Sequence, residues 1–160
     1  MKYRESNARL NDVLERIREV VEPSIVSARL SEEPLVEMEV GAQDLLWVAE
    51  QLRHNPLLSF EFLSCLSAVD YEGHFEVVYH LHSLANSASV RLKVRLDNDP
   101  PTVDSVASIW PTANWHEREA YDLFGVRFEG HPNLERIMME EDFEGHPMRK
   151  DYPQPQGRVR

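Results

Sequence analysis

Apolar residues repeat with the period of an α-helix in three parts of the chain. The three repeats cover residues 10–22, 41–55 and 114–124. Pro23 and Pro56 stop the first two, because proline cannot continue a helix. Gly125 is placed to end the third. The pattern therefore predicts three amphipathic helices at these positions.

Other segments alternate between apolar and polar residues, which is typical of strands with one buried face. They cover residues 24–30, 36–40, 75–82 and 89–96. Residues 84–87 are expected to join the last two as a hairpin. Residues 60–66 are a mainly apolar stretch that fits a buried strand or a short helix, of which we favour the strand. After the turn-forming run 97–101, the apolar spacing of residues 103–110 predicts a short helix.

The predicted order is therefore α-β-β-α-β-β-β-α-α. It favours an α+β domain of two layers, with helices on one face of a mixed, mostly antiparallel sheet. We place this domain at residues 1–124. Residues 125–160 are rich in proline, glycine, histidine and charge, and their apolar positions show no long period. They are expected to form an extended C-terminal docking arm that wraps its own domain or lies on another protein.

Charge and cysteine content narrow the class of protein. Among 160 residues, 28 acidic and 17 basic side chains give a net charge of −11, which disfavours nucleic acid and anionic lipid as partners. The single cysteine, Cys65, leaves no disulfide framework and no cysteine cluster for zinc or iron–sulfur. No apolar run is long enough to span a bilayer, and no signal sequence opens the chain. A chain with these properties is expected to be soluble in a reducing compartment.

A short repeat offers one candidate metal site. Residues 128–132 read Phe-Glu-Gly-His-Pro, and the same five residues return at 143–147. Its histidines lie close in sequence to three carboxylates, Glu129, Asp142 and Glu144, so metal binding is one hypothesis. We favour hydrogen-bonded turns instead, because a paired histidine spacing and cysteine ligands are lacking.

Charge is also dense between residues 117 and 122. Arg118 and Asp122 are four residues apart and can pair on one helix face. Glu119 and Asp122 could act as an acid and a base in hydrolysis, but the sequence offers neither an activated nucleophile nor a phosphate loop. We favour a charged network at a protein contact, in which Arg118 holds several acceptors. In the arm, Arg149 and Tyr152 are residue types that dominate protein interfaces, which favours docking.

Residues 115–126 (WHEREAYDLFGV) and 142–153 (DFEGHPMRKDYP), with Gly130-His131-Pro132 between them, closely resemble the C subunit of proton-pumping NADH:quinone oxidoreductase, respiratory complex I. The Glu-Arg-Glu and Arg-Lys-Asp-Tyr-Pro segments are highly specific for that family. Related subunits of group 4 membrane-bound hydrogenases look similar. Met148 stands where leucine is more usual, and Glu135 and Glu140 stand where many relatives have arginine and proline.

The resemblance implies a non-catalytic structural subunit of the hydrophilic arm of the complex, which as a whole is an enzyme. Such a subunit binds no cofactor; FMN, iron–sulfur clusters and quinone belong to other subunits. Its partners would be the hydrogenase-like large subunit, known in the family as the D subunit, and the subunit with the terminal iron–sulfur cluster. The chain would be peripheral, on the cytoplasmic side of the cell membrane, with no span of its own.

The matching residues are expected to shape the partner interface rather than to catalyse. They are Glu117, Arg118, Glu119, Asp122, Phe124, Gly125, His131, Pro132, Gly145, His146, Pro147, Arg149, Lys150, Asp151, Tyr152 and Pro153. Two alternatives stay open. One is the equivalent subunit of a membrane-bound hydrogenase complex. The other, more remote, is a stand-alone metal-dependent or carboxylate hydrolase that uses Glu119, Asp122, His131 and His146.

Overall fold

The computed structural model describes the backbone of residues 2–153 and the side chains of residues 7–153. Within that range the chain forms three α-helices and seven strands. In chain order they are α1 (Lys2–Val21), β1 (Ile25–Leu30), β2 (Val36–Val40), α2 (Leu45–His54), β3 (Phe62–Tyr71), β4 (His74–Ser83), β5 (Ala88–Leu96), β6 (Thr102–Asp104), α3 (Ala113–Phe124) and β7 (Arg127–Glu129). A 3₁₀ turn follows α1 and another precedes α2. The predicted strand at residues 60–66 is confirmed as the start of β3.

Five of the strands form one sheet in the order β1-β2-β5-β4-β3. The β2–β5 pair is parallel, with Met38 opposite Leu92, and the other three pairs are antiparallel. The hairpin between β4 and β5 is the one predicted. Strands β1 and β3 are the two edges of this sheet. The predicted fold class, helices packed on a mixed and mostly antiparallel sheet, is confirmed.

The core lies between the helices and one face of the sheet. Apolar side chains alternate along β5, where Val90, Leu92 and Val94 are at most 1% exposed. Trp110 is also enclosed, and its indole N–H donates to the Phe60 carbonyl at 3.0 Å. That bond satisfies the one polar atom of a large buried side chain. The opposite sheet face carries polar residues, among them the half-buried His80 and His82.

The predicted helix over residues 103–110 is wrong. Residues 102–104 form β6, which pairs in parallel with β7, and the remainder of the segment is made of turns. The apolar spacing is helical, but Val103 is buried as a strand residue because β7 supplies its hydrogen-bonding partner from beyond α3. Since Val126 and Phe128 are also buried, residues 2–130 are called the body below, and residues 131–153 the C-terminal segment. The C-terminal segment contains neither helix nor strand. Whether the chain divides at residue 124 stays a prediction.

Candidate functional site

The carboxylate of Asp122 organises the region where the two motifs meet. Asp122 lies in the last turn of α3 and is fully buried. Its Oδ2 accepts three consecutive backbone N–H groups of the C-terminal segment, those of Ile137 at 3.0 Å, Met138 at 2.7 Å and Met139 at 2.9 Å. Its Oδ1 accepts a hydrogen bond from Arg136 at 2.7 Å. One side chain of the helix therefore holds four donors of the segment that follows.

These donors decide the ionisation state of Asp122. Burial alone would raise the pKa of the carboxyl, because the charged form loses water. The N–H groups of Met139 and Met138, the Arg136 guanidinium and the Ile137 N–H outweigh burial, so the pKa of Asp122 lies below its usual range. Asp122 is thus ionised at neutral pH and serves as a fixed acceptor, not as a proton donor.

Arg136 completes this arrangement and was not among the candidates from the sequence. Its second terminal nitrogen donates to the carbonyls of Phe143 at 3.1 Å and Gly145 at 2.9 Å, which links both ends of a loop. Arg118 does not form the pair with Asp122 that the spacing allows, and the prediction that Arg118 holds several acceptors is wrong, because Arg136 takes that role. Arg118 instead lies over the Trp115 ring, 5.0 Å from its centroid, and donates to the Glu135 carbonyl at 3.1 Å. The sequence offered one indication that Arg136 has a special role, because it is the only basic residue between positions 135 and 144.

The C-terminal segment also caps the end of α3. A helix leaves its last carbonyls without partners inside the helix. Here the Tyr121 carbonyl accepts from the Gly125 N–H at 2.8 Å, and the Leu123 carbonyl accepts from the Met148 N–H at 3.0 Å. The Asp122 carbonyl lies 2.9 Å from Nδ1 of His146. Both motifs therefore meet at one helix end.

Glycine is required at two points of this contact. Gly125 has a φ of +78°, and a Cβ there would lie 2.7 Å from the His146 ring. Gly145 has a φ of +83°, and a Cβ there would lie 2.9 Å from the Tyr152 ring, which itself stacks on Phe143. Any other residue would combine a strained backbone with a clash.

Glu117, in the first half of α3, is a second fully buried carboxylate with a different environment. It accepts hydrogen bonds from the Ser105 hydroxyl at 2.5 Å and the Val106 N–H at 2.7 Å. Burial raises the pKa of Glu117 to about 7, although these two hydrogen bonds favour the charged form. Glu117 thereby fixes the turn after β6 onto α3.

The two motif histidines make separate backbone contacts. Nε2 of His131 lies 3.1 Å from the Asn114 carbonyl, and its Nδ1 accepts from the Asn133 N–H at 3.0 Å. His146 instead contacts the end of α3 and meets the Tyr121 ring edge-on. Among the described side chains, those of residues 7–153, no group of three or more histidine, cysteine, aspartate or glutamate residues is placed to hold a metal ion. The hydrogen-bonded turn is the interpretation that the geometry supports.

The last motif residues return to the sheet. Arg149 lies over the Phe75 ring, 5.0 Å from its centroid, and pairs with Asp151 at 3.1 Å. The Lys150 N–H donates to the Asp70 carboxylate at 2.8 Å. A cavity of about 450 Å³ lies between this turn and the loops at the ends of β3 and β5. The C-terminal segment therefore runs from α3 to the far end of β3.

Exposure divides the residues that were expected at a partner interface. Glu117, Asp122 and Gly125 are enclosed by the chain itself and act by shaping the region from within. Half-buried members are Arg118, Phe124, His131, His146, Pro147, Arg149 and Tyr152. Exposed members are Glu119, Pro132, Gly145, Lys150, Asp151 and Pro153. Three apolar side chains that were not predicted are more than half exposed beside them, namely Trp115 at 62%, Met138 at 58% and Met148 at 57%.

Comparison with known proteins gives consistent matches. Residues 38–158 match the family described as "Respiratory-chain NADH dehydrogenase, 30 Kd subunit". The C subunit of NADH-quinone oxidoreductase from Roseiflexus sp. (strain RS-1) is 47% identical over 144 residues, covering 88% of this chain and 82% of that protein. The C 2 subunit of NADH-quinone oxidoreductase from Rhizobium meliloti (strain 1021) is 55% identical over 105 residues, covering 64% of this chain and 57% of that protein.

Two solved structures share the fold. A chain of the membrane-bound sulfane sulfur reductase, described as an archaeal respiratory membrane complex, aligns with a TM-score of 0.77 and 28% identity over 89% of this chain and 85% of that one. "Nqo5 of the trypsin-resistant fragment (1-134)" aligns with a TM-score of 0.63 and 29% identity over 79% of this chain and 99% of that one. Among the described residues, every helix is too short or too polar to cross a membrane. On the sequence and fold together, the chain belongs to the family of the 30 kDa subunit, or C subunit, of respiratory NADH:quinone oxidoreductase.

Proposed function

We propose that this chain is a structural subunit of the hydrophilic arm of NADH:quinone oxidoreductase, on the cytoplasmic side of the membrane. In this proposal it docks against the hydrogenase-like large subunit and near the subunit with the terminal iron–sulfur cluster, and it carries no catalytic residue. One observation carries the proposal. The first motif uses the buried charge of Asp122 to hold the C-terminal segment, while apolar side chains of the same region, Trp115, Met138 and Met148, face outward.

The hydrolase alternative finds little support in the same geometry. Its four proposed residues do not converge on one cavity. Asp122 is occupied by four donors, and each histidine contacts a different backbone carbonyl. Glu119 points to a groove lined by none of the other three. The carboxylates therefore lack the shared reacting position that acid–base catalysis needs.

The relative described as a trypsin-resistant fragment supports a body that folds without the C-terminal segment. That fragment covers 79% of this chain. The same comparison supports our boundary proposal, a compact body followed by a docking segment. Limited trypsin digestion of the isolated chain is expected to cut within the C-terminal segment before it cuts the body, and assembly is expected to protect the segment.

A strain without its own copy of this chain provides the test of docking. Trp115→Ala is expected to lower the amount of chain in the assembled complex by roughly tenfold, because an exposed tryptophan beside arginine is typical of an interface hot spot. Trp47→Ala is the matched control, since Trp47 is 43% exposed on α2, away from the motifs. Equal incorporation of both variants on native gels would contradict the proposal.

The second candidate function is that of the equivalent subunit in a related membrane-bound hydrogenase complex. The alignment with a chain of the sulfane sulfur reductase is the observation that favours it. Purification of the native complex in mild detergent separates the two. NADH oxidation by the purified complex supports the first candidate, while a complex without NADH-oxidising activity supports the second.

A further inference from the structure

The far end of the C-terminal segment helps to form a cavity that the contacts described so far do not use. This cavity of about 450 Å³ is bordered by three stretches that lie far apart in the sequence. They are residues 70–75 around the turn between β3 and β4, residues 96–99 at the end of β5, and residues 149–151 of the C-terminal segment. Phe75 and Leu96, which are paired across β4 and β5 and are both buried, give it an apolar floor. Its volume is within the usual range of binding pockets.

The lining of this cavity carries an excess of negative charge. Two cations are outnumbered by five carboxylates, which leaves a net charge of −3 when His74 is neutral. The carboxylates are Asp70, Glu72, Asp97, Asp99 and Asp151, and the cations are Arg149 and Lys150. A concave surface of one sign concentrates its field and attracts groups of the opposite charge. The cavity therefore favours a cationic group.

Two of these carboxylates, Glu72 and Asp99, are available to bind such a group. Both are exposed, and neither has an ion-pair or hydrogen-bond partner among the described residues. The other three carboxylates are already engaged by groups of Lys150, Arg95 and Arg149. Because Glu72 lies in the turn after β3 and Asp99 in the loop after β5, a group inside the cavity has an unpaired carboxylate on two sides.

An exposed aromatic ring beside these carboxylates selects the kind of cation. Tyr71 is 41% exposed, and its ring stacks on His74 with 4.9 Å between the centroids and 13° between the planes. Guanidinium groups stack on aromatic faces and bind carboxylates through two hydrogen bonds, whereas an ammonium group is a compact, strongly hydrated point charge. The chain itself uses this mode at the same cavity, where Arg149 lies over Phe75 and pairs with Asp151. Arginine is therefore the expected cation.

We propose that an arginine of another subunit enters this cavity, lies over the Tyr71 ring and pairs with Glu72 or Asp99. The inference rests on the proposed function, since residues 149–151 belong to the motif expected at the partner interface and also form one side of the cavity. The cavity is complete only while the C-terminal segment is attached to the sheet. The partner arginine would therefore bind the attached form of the segment and stabilise it.

Charge disfavours a second copy of this chain as the source of the arginine. The whole chain has a net charge of −11 and the cavity has the same sign, so two copies repel each other on approach. A basic segment of another subunit meets attraction instead. Arg158 and Arg160 of the same chain are a competing source of guanidinium groups, which the crosslinking experiment distinguishes.

Photo-crosslinking in the purified complex tests the source of the arginine. The crosslinking amino acid replaces Asn98, which is exposed and lines the cavity, or, as the control, Glu50, which is exposed on α2. Irradiation is expected to join position 98 to an arginine-containing peptide of another subunit, and not to join position 50 to that peptide. Crosslinks only to this chain, its Arg158 and Arg160 included, or to a second copy, would overturn the proposal, as would the absence of any crosslink.

Charge reversal of the two available carboxylates adds a second measurement. The double variant Glu72→Lys/Asp99→Lys is expected to lower incorporation into the complex by roughly tenfold, and Glu72→Gln/Asp99→Asn by less, because reversal adds repulsion while neutralisation only removes attraction. Glu19→Lys/Glu50→Lys is the matched control, since it changes the net charge equally at exposed carboxylates of α1 and α2. Changing the crosslinked arginine to glutamate is expected to restore assembly of Glu72→Lys/Asp99→Lys.

Substitution of the aromatic ring tests the stacking contact. Tyr71→Phe keeps the ring and is expected to assemble normally, while Tyr71→Ala is expected to lower incorporation by roughly threefold. Normal assembly of Glu72→Lys/Asp99→Lys, or an equal loss in Glu19→Lys/Glu50→Lys, would overturn the arginine site and leave the proposed function standing. Failure of the unmodified chain to assemble would overturn both.

Discussion

Leu92 in the sheet and Asp122 at the end of α3 are both fully buried, yet they stabilise different parts of the chain by different means. Leu92 belongs to an apolar core whose stability comes from removing hydrocarbon surface from water. Asp122 holds the C-terminal segment by charge-assisted hydrogen bonds, and no residue between 131 and 153 is as buried as the core. The body therefore carries its own stability, while the segment depends on a few polar atoms.

Asp122→Ala tests the polar contacts that hold the C-terminal segment, and it has the largest expected effect. The change leaves the Arg136 guanidinium and three backbone N–H groups without their acceptor, which costs about 3–5 kcal/mol for a buried pair. We expect the cost to appear as release of the C-terminal segment, measured by trypsin cleavage at Arg136 and Arg149, with the melting of the body little changed. Asp142→Ala, at an exposed aspartate of the same segment, is the control. Equal cleavage rates for the two variants would refute the role of Asp122.

Leu92→Ala tests the contribution of the apolar core to the stability of the body. It leaves a cavity in the middle of the sheet and is expected to lower the free energy of unfolding of the body by about 3 kcal/mol. Urea denaturation followed by circular dichroism measures this loss. At low urea the trypsin pattern of the C-terminal segment should match that of the unmodified chain. Loss of segment protection before the body unfolds would show that the two regions are coupled.

Much of this molecule was predictable from its sequence, and the failures have a common cause. The alternation in β5 and the helical stripe of α3 are local patterns, so their elements and faces could be read directly. The strand β6 could not, because its partner β7 lies beyond α3 and nothing near Val103 reveals it. The same holds for Arg136, which reaches Asp122 from 14 residues away without any periodic relation. Glu117 was expected at an interface because it belongs to the first motif of the family that the sequence resembles, and its contacts with Ser105 and Val106 could not be read from the motif.

Glu117→Gln sharpens the comparison within α3, where the two buried carboxylates have opposite pKa shifts. The pKa of Glu117 is about 7 in the folded chain against an ordinary value of 4.5, so between these values the folded chain binds a proton that the unfolded chain releases. Stability from this group is therefore full below about pH 4.5 and is lost as pH rises through 7, by roughly 3 kcal/mol. For Asp122, whose pKa is lowered, stability is lost as pH falls.

Urea denaturation between about pH 5 and pH 8 checks the effect of Glu117. The unmodified chain should lose stability across this range, and Glu117→Gln should lose much less, because a neutral amide has no proton to release. Glu119→Gln, two residues away and exposed, should behave as the unmodified chain. Parallel curves for all three proteins would contradict a shifted Glu117.

Gly125→Ala has the smallest expected effect and tests the hinge between the two regions. A positive φ costs an alanine about 1–2 kcal/mol, and its methyl group would displace the His146 ring. We expect moderately faster trypsin cleavage of the C-terminal segment, with the order unmodified chain, Gly125→Ala, Asp122→Ala. Gly73→Ala is a useful control, because Gly73 also has a positive φ but nothing lies within 4 Å of its Cβ position. If the two glycine variants release the segment equally, contact with His146 is unimportant.

The distance along the chain between Asp122 and its donors has a consequence for the order of folding. These contacts close loops of 14–17 residues, whereas the ion pair between Glu37 and Arg91, on neighbouring strands, spans 54 residues. Short loops close quickly, and long-range strand pairing limits the folding rate. The C-terminal segment is also synthesised after α3 and needs the finished end of α3 as its template. Its attachment is therefore a fast, late and separately reversible step. A newly made copy of the protein can detach and rebind this segment without unfolding its sheet.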